Sequence, residues 1–198
     1  MTAPRERFDH AYYERFYLDP STRVSDDEQH ARLVSGVVSL VEYFGQPLMR
    51  VLDVGAGLGR WGRWIATNRL GVEVVSTELD PEVCKMYGHE QRDIAKWRSR
   101  KKFDLVICQG VLPYLGDRDV AAAIDNIAAM SRGFFYLEAI TKSDLEDVVD
   151  KSVTDLHVHA RPGSFYRALL RPHFRAIGAG LHYVRDGELS FYELEASR

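Results

Sequence analysis

The run Val51-Leu-Asp-Val-Gly-Ala-Gly-Leu-Gly-Arg-Trp61 constrains this chain more than any other stretch. An apolar strand enters three alternating glycines, and a helical pattern follows at once. Val51, Leu52 and Val54 suit a parallel strand covered on both faces. Asp53 is the one charge inside that strand, and a buried carboxylate needs a partner. Gly55, Gly57 and Gly59 let the backbone turn with positive φ and come into van der Waals contact with a ligand. The free N–H groups of the following helix point the same way. The run therefore predicts a nucleotide-type site at the carboxyl end of an α/β sheet. A dinucleotide fingerprint, G-x-G-x-x-G, would need its third glycine where Arg60 stands, so the pyrophosphate-cradling version is absent. A nicotinamide oxidoreductase is disfavoured further by the lack of a Tyr-x-x-x-Lys or zinc-ligand pattern.

The form hhDhGxGxG resembles the first motif of the class I S-adenosylmethionine-dependent methyltransferases. The resemblance implies an α/β, Rossmann-like fold: a seven-stranded, mostly parallel sheet of order 3-2-1-4-5-7-6 with helices on both faces. It also implies S-adenosylmethionine as cofactor and S-adenosylhomocysteine as product. The loop Gly55, Ala56, Gly57 and Gly59 would pass the methionine part, and Asp53 would help hold its amino end. On this reading residues 50–198 form the methyltransferase core and residues 1–49 an N-terminal helical lid or cover, one domain in all.

With 198 residues, 45% of them hydrophobic, the chain supports one sizeable core and leaves no room for a second catalytic domain. A net charge of −3 gives no electrostatic reason to expect nucleic acid or an anionic membrane as partner. Cys84 and Cys108 stand apart, without metal-ligand spacing, so neither a disulfide framework nor a metal site is expected. Met1 to Glu6 is charged and has no apolar signal region, and no apolar run reaches the ~18 residues of a membrane span. A cytoplasmic monomer or homodimer with a small-molecule substrate is the expectation.

The first 24 residues carry Phe8, Tyr12, Tyr13, Phe16 and Tyr17. They are either a stripe packed on the domain or a lid over the cofactor, with Tyr12 and Tyr17 as the phenols that reach it. Ser25-Asp-Asp-Glu28 reads as a capping box opening a scaffold helix. Residues 58–69 read as the first crossover helix, with Trp61 and Trp64 as core or interface residues. Glu78 closes the next strand, about 20 residues past the glycines, where an acid can accept hydrogen bonds from ribose hydroxyls; Leu79 follows it, and Asp80-Pro81 opens a helix. A third strand is expected within Met86 to Gln91. Asp93-Ile94 resembles the family's acidic-hydrophobic pair that meets adenine. Phe103 to Gln109 is apolar on both faces, in the form of the family's fourth motif, and Gln109 and Gly110 would border the transferable methyl group. The Asp/Asn-Pro-Pro-aromatic motif usual in enzymes that methylate nucleic-acid bases is missing there.

Gly133 to Ile140 reads as the fifth strand, and Ser143-Asp-Leu-Glu146 as a second capping box before a helix over 144–151. Phe174 to Val184 and Leu189 to Glu195 read as a final antiparallel pair turning at Arg185-Asp-Gly187. His157-Val-His159-Ala-Arg161 places two imidazoles on one face of an extended segment; they are either surface scaffold or a general base. Methyl transfer from a sulfonium needs a base only where the nucleophile arrives protonated, and His159 or His157 is the first choice, with Tyr114 and Glu138 behind them. The sequence thus predicts direct in-line methylation of oxygen or nitrogen on a small molecule. The alternatives are a non-catalytic cofactor-binding partner of a larger enzyme, or a methyltransferase acting on protein.

Overall fold

The structure, a computed structural model, describes residues 8–197. The charged stretch Met1–Glu6 lies outside them. Seven strands, β1 (Arg50–Val54), β2 (Glu73–Glu78), β3 (Glu90–Gln91), β4 (Phe103–Gln109), β5 (Ser131–Glu138), β6 (Phe174–Gly178) and β7 (Leu181–Val184), form one sheet. Its order is β3-β2-β1-β4-β5-β7-β6. β1 to β5 run parallel, and β7 lies antiparallel between β5 and β6. This is the expected topology.

The two-residue period of the strands builds two cores. Leu52, Val106, Cys108, Phe135 and Leu137 point to one face and pack with Val120, Ile124 and Ile127 of α5 (Asp117–Met130) and with Tyr166 and Leu170 of α7 (Gly163–Leu170). Val51, Leu105, Ile107, Phe134 and Tyr136 point to the other. They meet Val34, Val38 and Val41 of α2 (Asp27–Tyr43) and Trp61 and Ile65 of α3 (Arg60–Asn68). A short helix α1 (His10–Tyr13), continued by a wider turn over Glu14–Leu18, precedes this core. α4 (Pro81–Tyr87) follows β2, and α6 (Lys142–Asp147) follows β5.

Several local expectations shift. The first cap is Asp26, not Ser25, and accepts from the Gln29 N–H at 2.7 Å. The second capping box is Thr141 with Asp144, so α6 begins earlier than the Ser143 pattern implied. The third strand shrinks to Glu90–Gln91, because Asp80 and Pro81 start a helix that runs to Tyr87. The final hairpin turns at Ala179 (φ 48) and Gly180 (φ 78), not at Arg185-Asp-Gly187. Both edges of β7 are taken, by β5 and β6, so residues 189–195 have no strand to pair with there. Phe191 instead lays its ring against Phe44 and Tyr183, each 5.1 Å away, and covers the sheet.

Candidate functional site

The parallel strands deliver their loops to one edge of the sheet, and a cavity of about 570 Å³ opens there. Its first wall is the glycine loop. Gly55 (φ 66), Gly57 (φ 51) and Gly59 (φ 68) all hold positive φ. A Cβ on Gly55 would stand 2.3 Å from Val111 Cγ2, and one on Gly57 3.1 Å from the Tyr13 ring, so there is no room for side chains at these two positions of the loop. Gly59 is the first cap residue of α3, which puts that helix's start against the same wall.

Three charged side chains face this wall. Asp53, 2% exposed, leaves Oδ2 buried with no hydrogen-bond partner. Burial, and then the nearby Glu78 charge, push its carboxyl up to about 7. Glu78, also buried, accepts the Gly57 N–H at 3.0 Å and the Leu79 N–H at 2.6 Å, and so ties β2 to the loop. The Arg60 side chain is only 9% exposed. It donates to the Tyr17 carbonyl at 2.8 Å and lies 3.2 Å from Asp27 Oδ1, yet its Nε and Nη1 make no hydrogen bond.

The N-terminal aromatics form the roof. Phe8 meets the Tyr12 and Tyr114 rings edge-on, and Tyr12 and Tyr114 join their hydroxyls at 2.9 Å. Tyr13 packs over Gly57 and against Tyr17. Tyr12 and Tyr17 both line the cavity. Desolvation raises the pKa of Tyr12, Tyr17 and Tyr114 above the ordinary phenol range, so all three stay protonated near neutrality. Tyr114 lines the cavity with its hydroxyl held against that of Tyr12.

At the far end Gln109 connects three elements. Its Oε1 accepts from Trp61 Nε1 at 2.7 Å and lies 3.2 Å from His30 Nε2, while its Nε2 donates to Glu138 Oε2 at 3.2 Å. The Tyr136 hydroxyl donates to the same Glu138 oxygen at 3.2 Å. An indole nitrogen can only donate, so Trp61 fixes which end of the amide is oxygen. That in turn makes His30 Nε2 a donor. Burial lowers the pKa of His30, which keeps the ring neutral at physiological pH.

The cavity thus gathers Asp53, Gly55, Ala56, Gly57, Glu78, Leu79, Gln109, Gly110, Tyr114, Tyr12 and Tyr17. Gly59 stands just behind it. Four expected residues lie elsewhere. Asp93 faces Lys96 at 2.6 Å and caps the turn at Ala95, and Ile94 is buried in the core; neither lines the cavity. The segment bends at Val158 and is not a strand; His157 and His159 are both exposed, and Val158 between them is the residue that lines the cavity. His157 pairs with Asp155 at 3.2 Å, and the His159 backbone N–H binds the Pro113 carbonyl at 2.9 Å, which anchors the strip with its imidazoles outward. Arg161 is a buried staple, donating to Asp117 at 2.8 Å and to the Leu112 and Leu115 carbonyls.

Sequence reasoning missed Tyr13, His30, Arg60 and Trp61 as wall residues. Arg60 carried a signal, since a cation directly after the glycine loop faces any ligand there. His30 carried none, because nothing in the α2 pattern says which turn of the helix reaches β4. Among the described residues no three metal-ligating side chains come together, and no helix is long and apolar enough to cross a membrane.

A family model described as a methyltransferase domain matches residues 13–176. The chain belongs to the class I S-adenosylmethionine-dependent methyltransferase family. No protein of curated function matches the sequence. Solved structures share the fold at low identity. Magnesium protoporphyrin IX methyltransferase from Synechocystis PCC 6803, with bound SAH, aligns over 91% of this chain and 95% of its own at 17% identity and TM-score 0.61. DesVI of Streptomyces venezuelae aligns over 89% and 98% at 18% identity and TM-score 0.65. An S-adenosylmethionine-dependent methyltransferase from Clostridium acetobutylicum aligns over 92% and 99% at 12% identity and TM-score 0.63. The methyltransferase described here spans nearly the whole length of all three.

Proposed function

We propose that this methyltransferase binds S-adenosylmethionine in the cavity at the carboxyl edge of the sheet and methylates a small-molecule acceptor directly, on oxygen or nitrogen, releasing S-adenosylhomocysteine. The observation that carries the reading is the orphaned, buried Oδ2 of Asp53 beside a side-chain-free glycine wall. A buried carboxylate oxygen with no donor costs on the order of 1–3 kcal/mol, which a cationic amine would recover. The residues fit such a ligand at both ends of its amino-acid tail. Asp53 would take the ammonium, and Arg60, whose Nη1 has no partner while its Nε faces Asp27, the carboxylate. Glu78 keeps lone pairs beyond its two backbone bonds and would accept from the ribose hydroxyls. When bound, the cofactor supplies an electrophilic methyl carbon on a sulfonium whose sulfur leaves as a neutral thioether.

The chain's own work is then alignment and the exclusion of water. Phe8, Tyr12, Phe16 and Tyr17 close the roof over the site. Gln109 and Gly110 border the reacting atoms from β4, with the amide held by Trp61 and His30. The small-molecule reading rests on the size of the cavity.

Calorimetric titration of the wild-type chain with S-adenosylhomocysteine tests the site. Saturable binding that Asp53→Asn and Glu78→Ala each weaken is the expected result, and no binding would overturn it. Incubation with methyl-labelled cofactor and a cell extract tests the acceptor. The label should appear in the small-molecule fraction; label confined to protein would favour a protein acceptor.

A further inference from the structure

The glycine loop is held from behind as well as lined from the front. Gly57 has no Cβ to restrict it, so it leans on hydrogen bonds to fix the peptide planes on either side. Glu78 holds the plane before it by accepting the Gly57 N–H at 3.0 Å. The plane after it is held by His89, whose Nε2 lies 2.9 Å from the Gly57 carbonyl oxygen. A carbonyl only accepts, so Nε2 carries the proton and the ring is the donor. Among the described residues one other side chain donates to a carbonyl of this loop, Arg63 to that of Leu58. Arg63 comes from the helix that the loop opens, whereas His89 reaches it from the far side of β2.

His89 is itself fixed. Gly88 (φ 75) ends α4, and the His89 N–H returns to the Cys84 carbonyl at 2.9 Å. The next residue, Glu90, pairs with Thr77 as β3 begins. A helix stop before it and a strand after it therefore set where the imidazole starts, and Tyr87 stacks on the ring with centroids 6.0 Å apart. The ring also fills the space behind Gly59, where a Cβ would stand 3.1 Å from His89 Cε1. His89 does not line the cavity. Whatever it does for a ligand passes through the loop.

From this geometry, and resting on the reading that the loop receives the amino-acid tail of S-adenosylmethionine, we infer that His89 is a positioning residue for the cofactor. It fixes the peptide between Gly57 and Leu58 before the ligand arrives, so binding does not have to order a glycine loop. Gly57 is buried, and without His89 its carbonyl loses its side-chain donor. The loop is then free to take orientations in which its wall does not meet the tail. Glu78 and His89 thus act as a pair on one residue, the acid from β2 on the N–H and the imidazole from the start of β3 on the carbonyl.

The test is calorimetry on the full chain with two ligands, S-adenosylhomocysteine and 5′-methylthioadenosine, which lacks the amino-acid tail. His89→Ala should weaken S-adenosylhomocysteine about five- to tenfold and 5′-methylthioadenosine by less than about twofold. His89→Gln, whose amide nitrogen reaches as far as Nε2, should bring S-adenosylhomocysteine back to within about twofold of the wild type, and the shorter His89→Asn should not. The Gln and Asn variants carry this comparison even if the Ala variant does not fold. Unchanged S-adenosylhomocysteine affinity in His89→Ala, equal losses for the two ligands, or equal affinities of the Gln and Asn variants would overturn the inference. Failure of S-adenosylhomocysteine to bind the wild type would show that the underlying site reading is wrong, whereas its binding without any dependence on residue 89 would defeat the positioning role alone.

Discussion

Asp53 and Asp104 are the same residue on neighbouring strands, each 2% exposed, at opposite ends of the sheet. At the amino end, Asp104 accepts from the Met49 and Arg50 backbone N–H groups at 2.9 and 2.8 Å, from Gln46, and from the Arg132 fork at 2.7 and 3.1 Å. Burial pushes its carboxyl up, but these donors win and hold it below the ordinary range. At the carboxyl end, Asp53 Oδ2 has no donor, and burial with the Glu78 charge lifts its carboxyl to about 7. Burial alone therefore does not separate scaffold from site. The count of donors does: a satisfied carboxylate is a staple between strands, and an orphaned one is a socket.

The contrast breaks most visibly at Asp104. Asp104→Ala should cost about 2–4 kcal/mol of stability, because it strands two backbone donors and Arg132. Urea unfolding measures this, and the folded protein should still bind S-adenosylhomocysteine normally. An affinity loss as large as the stability loss would mean that the two ends are not separate. Next in size are Glu78→Ala and Arg60→Met, each expected to weaken S-adenosylhomocysteine by about 1.5–3 kcal/mol, the value of a hydrogen bond to a charged group. For Arg60, a ligand without the carboxylate, 5′-methylthioadenosine, should be unaffected.

Asp53→Asn should weaken S-adenosylhomocysteine by about 1–1.5 kcal/mol while leaving stability equal or higher. The sign follows from its raised carboxyl. A group that is easier to protonate when folded stabilises the chain fully below its unfolded pKa of about 4 and loses that contribution as pH rises through about 7. Without ligand, the wild type should lose stability relative to Asp53→Asn between these values. Its affinity for the ligand's ammonium should rise over the same window, as Asp53 ionises, and the variant should show neither trend. The smallest effect belongs to His159→Ala. With its imidazole turned outward, stability should change by less than about 0.5 kcal/mol and methyl transfer should be unaltered. A large fall in turnover would bring the 157–159 strip back to the chemistry.

Much of this arrangement was legible in the chain. Val51 to Trp61 carries the strand, the turn and the helix start in consecutive residues, so its geometry is a local matter of glycine φ and strand burial. Glu78 was legible because strand length and βα spacing put it at the same edge. The Asp93-Ile94 pair misled because an Asp side chain also accepts from the N–H two residues on, here that of Ala95, and that local bond took the carboxylate. The histidine strip misled in another way. Spacing in the chain does not say whether the strip turns its imidazoles in or out; its docking on the Pro113 turn leaves both exposed.

By itself, then, the sequence determined what depends on neighbours in the chain: the strand and helix types, the glycine wall, the acid at the end of β2 and, through the family pattern, the order of the sheet. Tertiary structure alone decided what depends on neighbours in space. It chose Ala179-Gly180 over Arg185-Asp-Gly187 as the last turn, since β7 had no free edge to offer. It brought His30, Trp61, Gln109 and Glu138, from four separate elements, around a single amide. Hydrogen bonds of that range leave no period or spacing in the chain, because their partners are selected by packing and not by position.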